Sequence, residues 1–337
     1  METLKGRDRE IGRNSVDTQD FESLRTGRFW NIYKLGLSYF LRYYLYVRFQ
    51  IIPRQKARRK AEYPLNLVVE PTNRCDLNCI FCARQIMRRK QGDMTLSMFR
   101  SVIEDLSERR CLPYMMHMHF LGEPLLNPDL PKMIRMAKDA GISIVRCNTN
   151  GTYLNTVEKC RELLDSGVDI LTVVVEPTEK IQAETRINSD LSLVERNLLR
   201  LKRLRKGRRP TLIGETLALK GITSHADLES GFDRWRRIFD LYDVIPAGTW
   251  GGQVKDYDLM PQPKECCREI WTNSVVLWNG DVTSCWNDTD GRFVMGNVKD
   301  ESLVDIWNNN EYENLRNIHR REEYSRVPLC EQCIQVR

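Results

Sequence analysis

The chain has 337 residues, of which 41% are hydrophobic and 29% charged; 52 basic side chains against 46 acidic ones give a net charge of +6. That length and apolar content suit an α/β barrel with an appendage. The mild basic excess excludes a nucleic-acid-binding tail and suits an acidic partner. Residues 1–20 are polar with no apolar signal core, so the eleven cysteines read as metal ligands or catalytic thiols of a cytoplasmic protein, not as a disulfide framework.

Residues 1–28 are highly charged. The run "FWNIYKLGLSYFLRYYLYVRFQII" (29–52) is interrupted by Lys34, Arg42 and Arg48, too many charges for a membrane span. It reads as a helix packed on the barrel or on a partner chain. The alternative is an amphipathic helix in peripheral contact with a membrane. A basic linker, "PRQKARRK", follows at 53–60.

From Leu65 onward β-rich runs alternate with helix-period stretches. Strands are expected at Leu65–Val69, Met116–Leu121, Ile142–Cys147, Ile170–Val175, Thr211–Leu219 and Tyr242–Ile245. Helices are expected at Thr95–Arg109, Asp129–Ala140, Val157–Ser166, Ser192–Lys206 and Ala226–Phe239, with Gly141 and Gly167 placed to end two of them. Six such units predict an open or partial parallel barrel. Its unusual residues follow the strands, at the edge where parallel α/β folds carry their chemistry. They are Cys75, Cys79 and Cys82, then Gly122-Glu123-Pro124, Asn148 to Gly151, Glu176, Lys220-Gly221 and Trp250-Gly251-Gly252.

The cysteines fall into two groups. Cys75, Cys79 and Cys82 are three soft ligands with no fourth cysteine nearby, which points to a cluster with one open iron. Zinc with a water or carboxylate as fourth ligand is the weaker reading. Past the barrel, Cys267, Cys285, Cys330 and Cys333 make a complete set of four. "NSVVLWNGDVTSCW" reads as a β-hairpin around Asn279-Gly280 that would bring Cys285 toward Cys267. Cys111, Cys147 and Cys160 are expected to be small buried residues. Cys266 is left as a spare thiol beside a ligand, a candidate hydrogen donor and thus a candidate catalytic residue.

These motifs resemble the radical S-adenosylmethionine (SAM) superfamily. C-x-x-x-C-x-φ-C after the first strand and "FLGEP" after the second carry the resemblance, with Leu121 in place of the first glycine of the usual pair. The tail resembles the SPASM/twitch accessory domain, its reduced cysteine set matching the form with one auxiliary [4Fe-4S] cluster. The resemblance implies a partial (β/α)6 TIM-like barrel over 61–255, a small iron–sulfur domain over 256–337 and an N-terminal extension over 1–60. It implies that Cys75, Cys79 and Cys82 hold a [4Fe-4S] cluster whose fourth iron binds SAM. Reductive cleavage of SAM then yields a 5′-deoxyadenosyl radical that abstracts a substrate hydrogen atom. By the same resemblance Phe81, Gly122, Glu123, Asn148, Asn150, Glu176 and Arg186 contact SAM, and flavodoxin or ferredoxin supplies the electron.

Single-auxiliary-cluster relatives include dehydrogenases and epimerases of aminocyclitol and carbohydrate substrates. An oxidoreductase of that kind is therefore the first expectation, within a glycan or lipid-linked sugar if 29–52 meets a membrane. No stretch before the barrel resembles a peptide-binding winged helix, so a peptide maturase is second; a non-catalytic zinc-binding interaction protein is third. Trp250, Trp271, Trp278 and Trp286 cluster around the last strand and the hairpin and are sugar-stacking or core residues. Glu215, Lys220 and Asp243 are candidate bases by position.

Overall fold

The computed structural model describes residues 61–207, 209–254, 267 and 269–333. The extension over 1–60, the 255/256 boundary and Cys266 lie outside these residues.

Six strands form the barrel wall: β1 (Asn66–Val69), β3 (Met115–Met118), β4 (Ile144–Thr149), β5 (Ile170–Val174), β7 (Thr211–Ala218) and β8 (Leu241–Pro246). They pair in parallel in that order. Helices α1 (Leu96–Glu108), α2 (Leu130–Asp139), α3 (Val157–Asp165), α5 (Leu191–Leu204) and α6 (His225–Trp235) alternate with them. Each expected strand and helix is present, with ends shifted by a few residues. Side-chain caps explain several helix starts: Thr95 accepts from Met98 N–H and Thr156 from Lys159 N–H, while Ser224 and Asp227 form a capping box. A short helix, α4 (Glu179–Thr185), was not visible as a period. It leads into β6 (Arg186–Ile187), which pairs antiparallel with β2 (Asn78–Cys79).

The strands are buried on both faces, and alternate residues divide the core. Leu67, Val69, Met116, Met118, Val145, Cys147, Leu171, Val173 and Leu212 face the helices. Met115, Ile144, Ile170 and Ile213, with Leu241 packed against them, form a separate plug on the opposite, inner face. Cys147 and Cys160 are fully buried as expected, whereas Cys111 is half-buried at the end of α1's turn.

The C-terminal part extends the same sheet. α7 (Glu269–Thr272) leads into β9 (Asn273–Val276), which pairs in parallel with β1 on its free edge. β10 (Asp281–Thr283) returns antiparallel through the expected hairpin and pairs with β11 (Val294–Asn297). Helices α8 (Leu303–Asn308), α9 (Asn310–Arg320) and α10 (Pro328–Gln332) cover this annex. The junction is held by a buried ion pair. Arg89 makes two hydrogen bonds of 2.8 Å to Glu70 at the end of β1, and its Nε donates to Thr289 O at 2.8 Å. Trp278 N–H donates to the same Glu70 at 3.2 Å. Glu70 is fully buried, so the annex supplies part of the solvation this carboxylate loses. Among the described residues no helix is long and apolar enough to cross a membrane.

Candidate functional site

The segment that follows β1 carries the cysteine triplet. Cys75 is half-buried, Cys79 lies on β2 and Cys82 precedes a short turn of 3-10 helix. Burial pushes all three thiols up, Cys75 to about 12, and Cys79 raises both of its neighbours further. Leu77 N–H points at Cys75 Sγ at 3.5 Å. Buried thiols within electrostatic reach of one another, met by a backbone N–H, are poor places for free thiolates and good ones for thiolates bound to iron. Among the described residues no three His, Cys, Asp or Glu side chains converge as the donors of a single ion would.

Arg186 stands opposite Cys79 across the β2–β6 pair. Its Nη1 lies 3.7 Å from Cys79 Sγ, its Nε donates to Glu176 Oε1 at 2.7 Å, and its guanidinium sits 5.1 Å over the Phe81 ring. Arg186 is 5% exposed and Glu176 0%, yet among the described residues Arg186 Nη2 and Glu176 Oε2 have no partner. Burial pushes the Glu176 carboxyl up, against the pull of Arg186. One donor and one acceptor are thus left over on a buried pair beside the cysteines. That complement fits a ligand with a carboxylate and a hydroxyl or amino group.

Glu123 is also buried, and burial pushes its carboxyl up to about 7. Its oxygens accept from Leu125 N–H at 3.1 Å, Thr149 Oγ1 at 2.6 Å and Asn150 N–H at 2.7 Å. A carboxylate has about four acceptor positions. Three are used here, which leaves one for an ammonium group. Gly122 has φ +98°, and a Cβ there would meet Thr72 O and Arg74 O at 2.7 Å; Glu123 N–H donates to Arg74 O at 2.8 Å. The turn after β3 is therefore pressed onto the backbone that enters the cysteine loop.

Asn150 donates to Asp76 Oδ1 at 2.8 Å, and Thr152 Oγ1 donates to Asp76 Oδ2 at 2.7 Å. Asp76, inside the cysteine loop, thus ties that loop to the β4 turn, a role no spacing revealed. Asn148 Oδ1 accepts from Arg146 Nε at 3.0 Å. Phe81 is buried with Leu77, Cys79, Leu219 and Ala247.

In the annex, burial pushes Cys267 and Cys285 far up and Cys330 to about 12. Cys267 and Cys330 each raise Cys285, and Cys333 raises Cys330, so the four form one electrostatic group. Asn287 N–H points at Cys285 Sγ at 3.3 Å, and the Asn287 amide at Cys333 Sγ at 3.9 Å. His319 Nε2 lies 3.3 Å from Cys330 Sγ. The Asn287 N–H···S contacts and the clustering of buried thiols suit an iron–sulfur cluster.

The four tryptophans separate by role. Trp271 is 1% exposed and belongs to the core. Trp278 stacks over Gly92, and Trp250 Nε1 donates to Phe81 O at 3.0 Å. Trp286 alone of the four packs on the barrel's histidines, its ring 5.3 Å from His117 and 5.5 Å from His119. Among the candidate bases, Glu215 is ion-paired with Arg146 at 2.9 Å, while Lys220 and Asp243 are exposed.

A thiol-lined mouth on a parallel half-barrel, continued by a thiol-rich annex, defines an iron–sulfur enzyme of the SAM-cleaving class. The profile of the radical SAM superfamily matches residues 69–225, and that of SPASM, an iron–sulfur cluster-binding domain, matches residues 266–334. The chain belongs to the radical SAM superfamily and is a radical SAM enzyme with a C-terminal SPASM domain. SAM, a [4Fe-4S] cluster and auxiliary iron–sulfur chemistry follow from that membership and displace the zinc-binding alternative.

The chain is 25% identical over 318 residues to the tungsten-containing aldehyde ferredoxin oxidoreductase cofactor-modifying protein of Pyrococcus furiosus, covering 79% of this chain and 86% of that one. It is 20% identical to the SAM-dependent 2-deoxy-scyllo-inosamine dehydrogenase of Niallia circulans, covering 80% and 92%. The fold resembles that of BtrN in complex with AdoMet and 2-DOIA, with a TM-score of 0.55 at 20% identity over 80% of this chain and 92% of that one. It also resembles Streptococcus suis SuiB bound to precursor peptide SuiA, with a TM-score of 0.63 at 14% identity over 88% and 78%.

Proposed function

We propose that the chain is an oxidoreductase that removes a hydrogen atom from a small carbohydrate or aminocyclitol-type substrate, as a dehydrogenase or an epimerase. The observation that supports this reading best is the extent of likeness. The aminocyclitol dehydrogenase aligns over 92% of its own length, whereas the PqqA peptide cyclase of Streptomyces rochei aligns over 28% of its own. Sequence likeness to the PqqA peptide cyclase is thus confined to part of the chain, while sequence likeness to the aminocyclitol enzyme runs through most of it.

Cys75, Cys79 and Cys82 would hold the [4Fe-4S] cluster. With SAM bound and the cluster reduced by flavodoxin or ferredoxin, the pair supplies a carbon-centred radical able to take one hydrogen atom. Arg186 and Glu176 offer their unpaired nitrogen and oxygen to the SAM carboxylate and a ribose hydroxyl. Glu123 offers its remaining acceptor position to the methionyl ammonium, with Gly122 fixing the turn. Asn148 and Asn150 orient the β4 loop, and Phe81 closes the apolar side of the pocket and excludes water. Cys267, Cys285, Cys330 and Cys333 would hold one auxiliary cluster, which supplies a one-electron acceptor for a two-electron oxidation. Cys266 remains the candidate hydrogen donor if the reaction is an epimerisation. The extension over 1–60 would serve docking to a partner or a membrane surface.

The test is an anaerobic incubation of the reconstituted enzyme with SAM, reduced flavodoxin and 2-deoxy-scyllo-inosamine. A dehydrogenase yields one ketone per 5′-deoxyadenosine. An epimerase yields an isomer carrying one deuterium from D2O. Formation of 5′-deoxyadenosine with the aminocyclitol recovered unchanged would overturn the assignment.

A further inference from the structure

Below the cysteine-lined mouth, the inner face of the barrel carries polar groups that the roles above do not use. His117 follows Met115 on the inner face of β3, His119 continues the same alternation one residue past the strand's end, and Arg146 follows Ile144 on the inner face of β4. Glu215 follows Ile213 on β7, and Thr172 lies between Ile170 and Val174 on β5. The apolar plug made by Met115, Ile144, Ile170 and Ile213 closes the barrel beneath this layer. Arg146 and Glu215 pair at 2.9 Å across β5, the strand that bears Thr172.

Among the described residues three atoms in this layer have no hydrogen-bond partner: Nδ1 of His117, Nδ1 of His119 and Oγ1 of Thr172, the last on a residue that is 0% exposed. Folded proteins rarely leave several buried polar atoms unpaired at one level, and a ligand that completes them is a sufficient reason to keep them. Burial, with the Arg146 charge added, holds the His117 imidazole neutral with its pKa near 3 and pushes His119 well down too. A neutral imidazole offers one donor and one acceptor, and a hydroxyl offers both. The Arg146–Glu215 pair adds opposite charges that sum to zero. Trp286 forms one wall, and it follows Cys285 of the annex directly in the chain.

We propose that His117, His119 and Thr172, with the Arg146–Glu215 pair and the Trp286 wall, form the substrate subsite and take a small ring bearing several hydroxyl or amino groups and little net charge. The proposal rests on the carbohydrate reading above and deepens it. A mixed set of donors and acceptors matches hydroxyl groups, which need both. The balanced ion pair disfavours phosphates and dicarboxylates, and it can take an amino group at Glu215. An aromatic wall suits the apolar faces of a saturated ring. The plug closes the subsite from below, and Trp286 links it to the annex through the adjacent Cys285.

The test is calorimetric titration of the anaerobic, SAM-loaded holoenzyme with 2-deoxy-scyllo-inosamine. Thr172→Val is nearly isosteric and removes only the unpaired hydroxyl. It should weaken binding about three- to tenfold. In the ligand-free protein it should hold or raise Tm, because the deleted group is unsatisfied there. A merely structural threonine would not give that combination. His119→Phe keeps the aromatic contact with Trp286 and should weaken binding by more than about tenfold, with SAM affinity and iron content unchanged. Wild-type affinity in both variants would overturn the subsite alone. Failure of the wild-type enzyme to bind the probe would overturn the carbohydrate reading and the proposal together.

Discussion

Replacing Arg186 with methionine should cost about 3–5 kcal/mol of stability, the usual penalty for removing one partner of a buried ion pair. Methionine fills much of the same volume, so the loss comes from charge and not from a cavity. Glu176, 0% exposed, would keep a single orphaned carboxylate with its 2.7 Å contact gone. Cys79 would lose the cation 3.7 Å from its sulfur, and Phe81 the guanidinium 5.1 Å above its ring. Denaturant unfolding under anaerobic conditions measures the first effect. Adding Glu176→Gln should restore part of it by removing the uncompensated charge. SAM affinity should fall by roughly ten- to a hundredfold if Arg186 Nη2 binds the SAM carboxylate, the worth of one charge-assisted hydrogen bond. A variant within 1 kcal/mol of wild type on the ~1.4 kcal/mol-per-decade scale, with unchanged SAM affinity, would contradict this account of the pair.

Gly122→Ala should be nearly as damaging, for a steric reason. At φ +98° an alanine is strained, and its Cβ would stand 2.7 Å from two backbone oxygens of the segment entering the cysteine loop. Neither oxygen belongs to a side chain that could swing aside. The left-handed conformation and the overpacking together should cost roughly 2–5 kcal/mol. Because the obstructed backbone is that of Thr72 to Arg74, iron content should fall along with Tm. Gly207→Ala is the control. Gly207 also has positive φ, +70°, but among the described residues nothing lies within 4 Å of its added Cβ, so only the conformational strain should appear.

The parts of this site that repeat along the chain were legible in it. Strand and helix periods located the barrel, because the strands are bounded by turn residues and most of its helices by a cap such as Thr95 or Thr156. The cysteines were legible because their spacing is local. The sequence also placed Gly122 and Glu123 at the right turn, although it did not show how fully the protein's own donors occupy Glu123. Residues whose role depends on a distant partner were not legible in this way. Arg186 meets Cys79 across 107 positions through a two-residue ladder, and Trp278 reaches Glu70 across 208. Asp76 was hidden among the cysteines, its partners Asn150 and Thr152 lying on another strand's turn. His117 and His119 left a signal that could have been followed. They alternate with Met116 and Met118 in an otherwise apolar strand, which is the pattern of a strand with one polar face.

The central claim is that Cys75, Cys79 and Cys82 hold a cluster with one iron open to SAM. The most direct measurement is electron paramagnetic resonance of the dithionite-reduced enzyme, with iron analysis, before and after adding SAM, on wild type and on Cys79→Ala. The account predicts that SAM shifts one cubane signal of the wild type. It also predicts that the variant loses that signal and about four irons while keeping the auxiliary cluster. A Cys79→Ala enzyme that retains its full iron content and a signal still shifted by SAM would contradict the account.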